Sequence, residues 1–170
     1  MDDQLLVCQA GATVDNLVAV AERFRLFLPL DITSGETATI GGAFMSGAFV
    51  SPPSGYGSLA RAVTGIRAVD STGEPVTFGG RTVKNVTGFE VPRFLYGTMG
   101  IYAAAVEFTL KALPLPEHRA TVIVTAPASS SERHAGLIRD SMNASAGATR
   151  MEFIAPDGLD GEIVIGIRFD

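Results

Sequence analysis

Apolar and polar positions change their period several times along this chain. Residues 4–9, QLLVCQ, form a short apolar run that reads as a strand, opening almost at the first residue. Gly11-Ala12 is a turn, and Thr13 stands where a helix N-cap belongs. From there Val14, Leu17, Val18, Ala21 and Phe24 recur at helical spacing, which predicts a helix to about Phe24 with those five on its inner face. Residues 26–30 are apolar and 31–38, DITSGETA, are loop chemistry. Thr39-Ile40-Gly41-Gly42 leads into AFMSGAFV, a short apolar run that predicts a helix starting at Ala43. Residues 51–58 are rich in proline and glycine and read as a loop.

The middle of the chain reads as β structure. Residues 62–69 and 75–79 predict a hairpin closed by Asp70-Ser71-Thr72-Gly73-Glu74. A short helix is expected over 91–96. Residues 102–111 alternate, with Tyr102, Ala104, Val106, Phe108 and Leu110 on one face and Glu107, Thr109 and Lys111 on the other. That pattern predicts a strand with one buried face, clearest in its second half. Leu113-Pro114-Leu115-Pro116-Glu117 is a stiff extended linker and the best domain boundary. Beyond it the order becomes β–α–β–β: a strand at 120–125, a helix from a Ser129/Glu132 capping box to about Asn143, and strands at 149–154 and 162–169. The expected domains are therefore 1–117 and 118–170, the fold class is α+β, and both ends look cut.

Charge narrows the functions. The net charge is −5, and neither 1–117 nor 118–170 is basic, so nucleic acid is an unexpected partner. One cysteine, Cys8, excludes an intramolecular disulfide and a CxxC metal site; within a predicted strand it reads as a small buried residue. The two histidines fit no zinc-hydrolase pattern, and His118, just after the linker, reads as solvent-exposed. No metal site is expected. Residues 37–60 carry no charge over 24 positions, but their glycines, prolines and serines point to a folded segment, not a membrane span. MDDQLL is no secretory signal, so a soluble cytoplasmic protein is the expectation.

No catalytic side-chain set stands out, and the informative residues are glycines, 19 of 170. Thr39, Ile40, Gly41 and Gly42 can bring backbone close to a phosphate or a flat ring, helped by free N–H donors if a helix starts at Ala43; a tight turn feeding a helix explains them as well. Ser46 and Gly47 follow on that helix. Gly97, Thr98 and Gly100 allow close approach at the entry to the alternating strand, or a simple helix cap and bend. Lys84, in VKNVTGFEV, is a cation beside an anionic ligand or an ordinary surface lysine.

Taken in order, QAGATVDNL, LPLD, TIGG, the Tyr56-Gly57 pair, VTGIRAVDSTGEPVTFGG, VKNVTGFEVPRFL and VEFTLKALPLPE resemble the FAD-binding domain of the vanillyl-alcohol oxidase/p-cresol methylhydroxylase type. Within it they are most similar to the FAD-binding subunits of bacterial glycolate oxidase, whose KNVAGYDV resembles VKNVTGFEV. The resemblance covers residues 4–117, and residues 118–170 resemble the start of the cap domain that follows. It implies the second lobe of such a domain, a mixed or antiparallel sheet with flanking helices, then a partial β-α-β-β cap. It implies FAD as cofactor, oxidation of an α-hydroxy acid if complete, and contacts to FAD from Thr39, Ile40, Gly41, Gly42, Ser46, Gly47, Gly97, Thr98 and Gly100.

The departures from the family pattern carry a second reading. The family's earlier pyrophosphate-loop lobe has no counterpart here. Its Ser-Gly-Pro becomes Phe49-Val50-Ser51, and its Gly-Thr-Leu-Gly turn ends in Ile101-Tyr102-Ala103. The methyl of Ala103 is expected against the flavin. These changes imply either a partner chain that supplies the missing lobe or a flavin-free homologue serving as an assembly module for an oxidoreductase. In both cases an apolar exposed surface and a homo- or hetero-oligomer are expected.

Overall fold

The computed structural model describes residues 4–30, 37–47, 58–80, 91–127, 136, 139–143, 148–154 and 162–169. The described chain divides into two compact units, one ending at Leu115 and the other running on from Pro116.

In the first unit, β1 (Leu5–Gln9) is followed by α1 (Val14–Arg23) and the two-residue β2 (Leu26–Phe27). Then come α2 (Ile40–Ser46), α3 (Leu59–Ala62), β3 (Val63–Asp70), β4 (Pro75–Gly79), α4 (Val91–Leu95), β5 (Ala103–Lys111) and β6 (Leu113–Pro114). Four strands form one antiparallel sheet in the order β1-β5-β3-β4. Leu17 and Ala21 of α1, Ile40, Ala43 and Phe44 of α2, and Leu95 of α4 bury against Ile66, Ala68, Phe108 and Leu110 of the sheet. The opposite sheet face meets water, where Arg67 and Glu107 sit directly across β3 and β5 and pair at 3.5 Å. An exposed pair of this kind adds a fraction of a kcal/mol, so burial of the inner face carries the stability.

The β3–β4 hairpin forms as its sequence predicts. Asp70 Oδ1 accepts from the Thr72 N–H at 2.8 Å, the Thr72 hydroxyl at 2.6 Å and the Glu74 N–H at 3.0 Å. Those donors hold the Asp70 carboxyl below its usual range, the Thr72 hydroxyl contributing most. The Leu-Pro-Leu-Pro segment begins as structure: Leu113 and Pro114 pair antiparallel with Phe27 and Leu26.

Three local expectations change. Thr13 precedes α1 but makes no side-chain cap; the Val14 N–H goes instead to Ala38 O at 2.9 Å. Phe24 is 56% exposed, because α1 ends at Arg23 and Arg25 takes a positive φ that carries the chain away. In β5 the alternation inverts. Phe108 and Leu110 are buried, but so is Ala103, while Tyr102, Ala104 and Val106 are exposed. A register shift between Arg67 and Ala68 of β3 inserts an extra β5 residue at this point. One extra residue reverses the phase of every side chain before it.

The second unit holds a three-stranded antiparallel sheet, β7 (Ala120–Pro127), β8 (Arg150–Ile154) and β9 (Glu162–Phe169), in the order β7-β9-β8. Ile165 and Ile167 of the central strand are its buried centre, with Val124, Met151 and Phe169 packed beside them. Helical residues at 139–143 agree with the capping-box helix; its start lies outside the described residues.

The inverted phase gives a direct test. Phe108→Ala is expected to cost about 3–5 kcal/mol in urea unfolding, as for other buried Phe truncations. Val106→Thr is expected to stay within about 0.5 kcal/mol, as at exposed positions. A large loss at Val106 would restore the simple alternation.

Candidate functional site

The sequence singled out two glycine segments, and α2 joins them. Its start is stitched to the β1–α1 turn. Thr13 bridges Thr39, the Ile40 N–H donates to Ala12 O at 2.9 Å, and the Gly41 N–H donates to Ala10 O at 2.9 Å. The Gly42 N–H donates to Thr39 Oγ1 at 3.1 Å, and the Ala43 N–H to Thr39 O at 2.9 Å. The helix thus begins at Ile40, not Ala43, because Thr39 caps it. The first-turn N–H groups expected to be free are taken by the chain itself.

The two glycines of this turn have different roles. A Cβ on Gly41 would lie 2.8 Å from both Ala10 Cβ and Ala10 O, so Gly41 is required where α2 crosses the end of β1. Gly42 is exposed, and among the described residues a Cβ there would meet only Thr39 Oγ1, at 3.1 Å. Ser46 lies one helical turn further along the same exposed face. Its hydroxyl donates to Ala43 O at 3.4 Å.

At its other end α2 stops at Gly47, which takes φ 65°. A Cβ on Gly47 would sit 3.2 Å from the Cα of Gly97. The carbonyl of Phe44 accepts from both N–H groups, Gly47 at 3.2 Å and Gly97 at 3.1 Å, and Met99 N–H donates to Met45 O at 2.8 Å. Thr98 turns back on α4, its hydroxyl donating to Leu95 O at 2.8 Å. Gly97 and Gly100 both have positive φ and are exposed. Ser46, Gly47, Gly97 and Thr98 therefore come together at one end of α2, with Thr39–Gly42 at the other. Gly100 follows two residues after Thr98 in the same turn.

Beneath this surface Phe44 is fully buried, edge-on to Tyr96 at 5.3 Å and tilted against Phe108 at 5.2 Å. Burial raises the Tyr96 phenol above its usual range. Ala103, the methyl expected against the flavin, points into the core. The residues that do reach the surface there are Met99, Ile101, Tyr102 and Phe94, the last two with rings 4.9 Å apart. This apolar surface has its sequence signal in the Ile101-Tyr102 departure. Lys84 and Asn85 lie outside the described residues.

Cys8 has its thiol pushed up to about 11, by burial and then by the Glu107 carboxylate, which keeps it protonated and unreactive at neutral pH. Among the described residues no cluster of three or more His, Cys, Asp or Glu could hold a metal ion. No helix of these residues is long and apolar enough to cross a membrane.

For FAD these residues fit one role. Among the described residues the exposed face of α2 carries Gly42 and Ser46 and continues to Gly97, small residues that suit a flat ring. The first turn of α2 offers no spare N–H for the pyrophosphate.

Gly41→Ala is expected to destabilise the first unit by about 1–3 kcal/mol, as overpacking does, and Gly73→Ala, where no neighbour among the described residues lies within 4 Å but φ is +87°, by less. Chemical unfolding of both variants checks the order, and a neutral Gly41→Ala would refute the close approach to Ala10.

Residues 1–79 match the family model described as FAD binding domain. D-lactate dehydrogenase of Archaeoglobus fulgidus is 31% identical over 113 residues, which are 66% of this chain and 25% of that protein. Glycolate oxidase subunit GlcE of Escherichia coli is 29% identical over 113 residues, 66% of this chain and 32% of that one. The chain thus spans a quarter to a third of the length of these relatives. In fold it superposes on alkyldihydroxyacetonephosphate synthase with a TM-score of 0.77 at 15% identity, over 99% of this chain and 35% of that one. Together, the matched segment and these relatives support FAD as the cofactor, and the superposition shows a shared fold.

Proposed function

We propose that this chain is part of an FAD-linked oxidoreductase acting on an α-hydroxy acid, similar to the FAD-binding subunit of bacterial glycolate oxidase. The observation that carries the reading is the match of residues 1–79 to an FAD binding domain. The relatives named for D-lactate and glycolate oxidation support the substrate class. Bound FAD would supply the hydride acceptor. In this chain Gly42, Ser46, Gly47 and Gly97 would form the wall along the flat ring, with Thr98 and Gly100 extending it. Thr39, Ile40 and Gly41 would hold that wall in position through their hydrogen bonds to Ala10, Ala12 and Gly42. No residue of the chain is assigned as the acid or base for the substrate. The pyrophosphate would be held by groups outside the first turn of α2, and residues 118–170 would contribute to the cap.

A second reading has an observation in its favour. The occupied N–H groups of α2 and the exposed Met99, Ile101 and Tyr102 suit a flavin-free module that docks on an oxidoreductase partner. Colour separates the two. The purified chain is mixed with excess FAD, desalted, and its visible absorption recorded. A retained flavin spectrum supports the cofactor-holding role, and a colourless chain supports the docking module.

A further inference from the structure

Resting on the flavin reading above, we infer that Met99 is a ligand-contacting residue of the α2 wall, its thioether held out to touch the flat ring that the wall receives. Backbone conformation singles it out. Among the described residues three that carry side chains take a positive φ: Gln4 at 51°, Arg25 at 57° and Met99 at 56°. A side chain in that region crowds its own backbone, whereas glycine adopts it freely. Two of the three have local reasons. Arg25 follows the end of α1, where a left-handed residue commonly closes a helix, and its N–H donates to Glu22 O at 2.9 Å. Its side chain carries a charge that water solvates. Gln4 is polar and half-buried, and its carbonyl accepts from the Ala112 N–H at 2.7 Å.

Met99 differs from both. Its side chain is apolar and 71% exposed. One position thus combines a crowded backbone with apolar area left in water, and little burial offsets either. The backbone there needs no side chain. Gly97 and Gly100 stand on either side with φ of 74° and 76°. A glycine at position 99 would make the same bond that Met99 makes, its N–H donating to Met45 O at 2.8 Å. A strained residue that does not serve the fold is the mark of a ligand site.

Position and chemistry both fit the ring. The bond to Met45 O ties residue 99 to the last turn of α2, beside the junction where Gly47 and Gly97 lie against each other. Within residues 97–100 the Thr98 hydroxyl is turned back on Leu95 O, and the two glycines have no side chain. Met99 therefore supplies the reach in that turn. A thioether is polarizable, bends at three bonds and makes favourable contacts with aromatic rings. The glycines allow close approach, and Met99 adds a contact that they cannot make.

The test compares the full chain with Met99→Gly and Met99→Leu in two measurements, thermal unfolding by circular dichroism and titration with FAD followed by flavin fluorescence. Met99→Gly is expected to melt no lower than the parent, because the backbone crowding is relieved, and to bind FAD about 3–10-fold more weakly. Met99→Leu keeps both the bulk and the crowding, and is expected to melt with the parent and to recover most of the affinity. Affinity lost without stability lost is a signature that a structural residue does not give. A Met99→Gly chain that melts lower overturns the inference, since the side chain then serves the fold. So does one that binds FAD as tightly as the parent; both results leave the α2 wall standing. A parent that takes up no FAD overturns the proposed function itself, and this inference with it.

Discussion

Phe44 is the constraint on which the first unit depends. Its ring fills the space between α2, the sheet and α4, touching Phe108 on one side and Tyr96 on the other. Its carbonyl does a second job, accepting from both Gly47 and Gly97. One residue thus fixes how α2 lies on the sheet and how closely the 97–100 turn approaches it. Burial of a phenylalanine holds the helix down with about 1.5–3 kcal/mol, and the carbonyl holds two glycines that are far apart in sequence. Without that anchor the glycines would be two unrelated turns.

The consequence for chemistry is a change of emphasis within the flavin reading. Short polar caps and glycines before a helix suggest a phosphate cradle. Here the cap is consumed locally, by Thr39, and the remaining donors are consumed by the β1–α1 turn. What is left among the described residues is an exposed surface at Gly42, Ser46 and Gly97, which would meet a flat ring by contact and shape. Such a surface excludes water from one side of a ring but supplies no proton donor or acceptor. Redox chemistry at this wall would come from the cofactor, with orientation from the chain.

Some of this was legible in the sequence. The Asp70–Glu74 turn was, because Asp, Thr and Gly satisfy their own backbone within five residues. So were most strands, whose periods are local. The start of α2 was misplaced, since the capping role of Thr39 competes with reading Gly41 and Gly42 as a turn. Gly41 could not be sorted from Gly42 by sequence, because the atom that excludes a side chain there belongs to Ala10, thirty-one positions away. The inverted half of β5 was hidden for a similar reason: the shift is a property of β3 and β5 together. The meeting of Gly47 with Gly97 has no signal in either segment alone.

The central claim is that the open face of α2 is a flavin wall. Equilibrium dialysis of FAD against the parent chain and against Gly42→Val tests it most directly. A valine there would project from the exposed face, where among the described residues only Thr39 is close. The account predicts FAD retained by the parent and lost in the variant, with both giving the same far-ultraviolet circular dichroism. Equal retention of FAD by the two, or retention by neither, would contradict it.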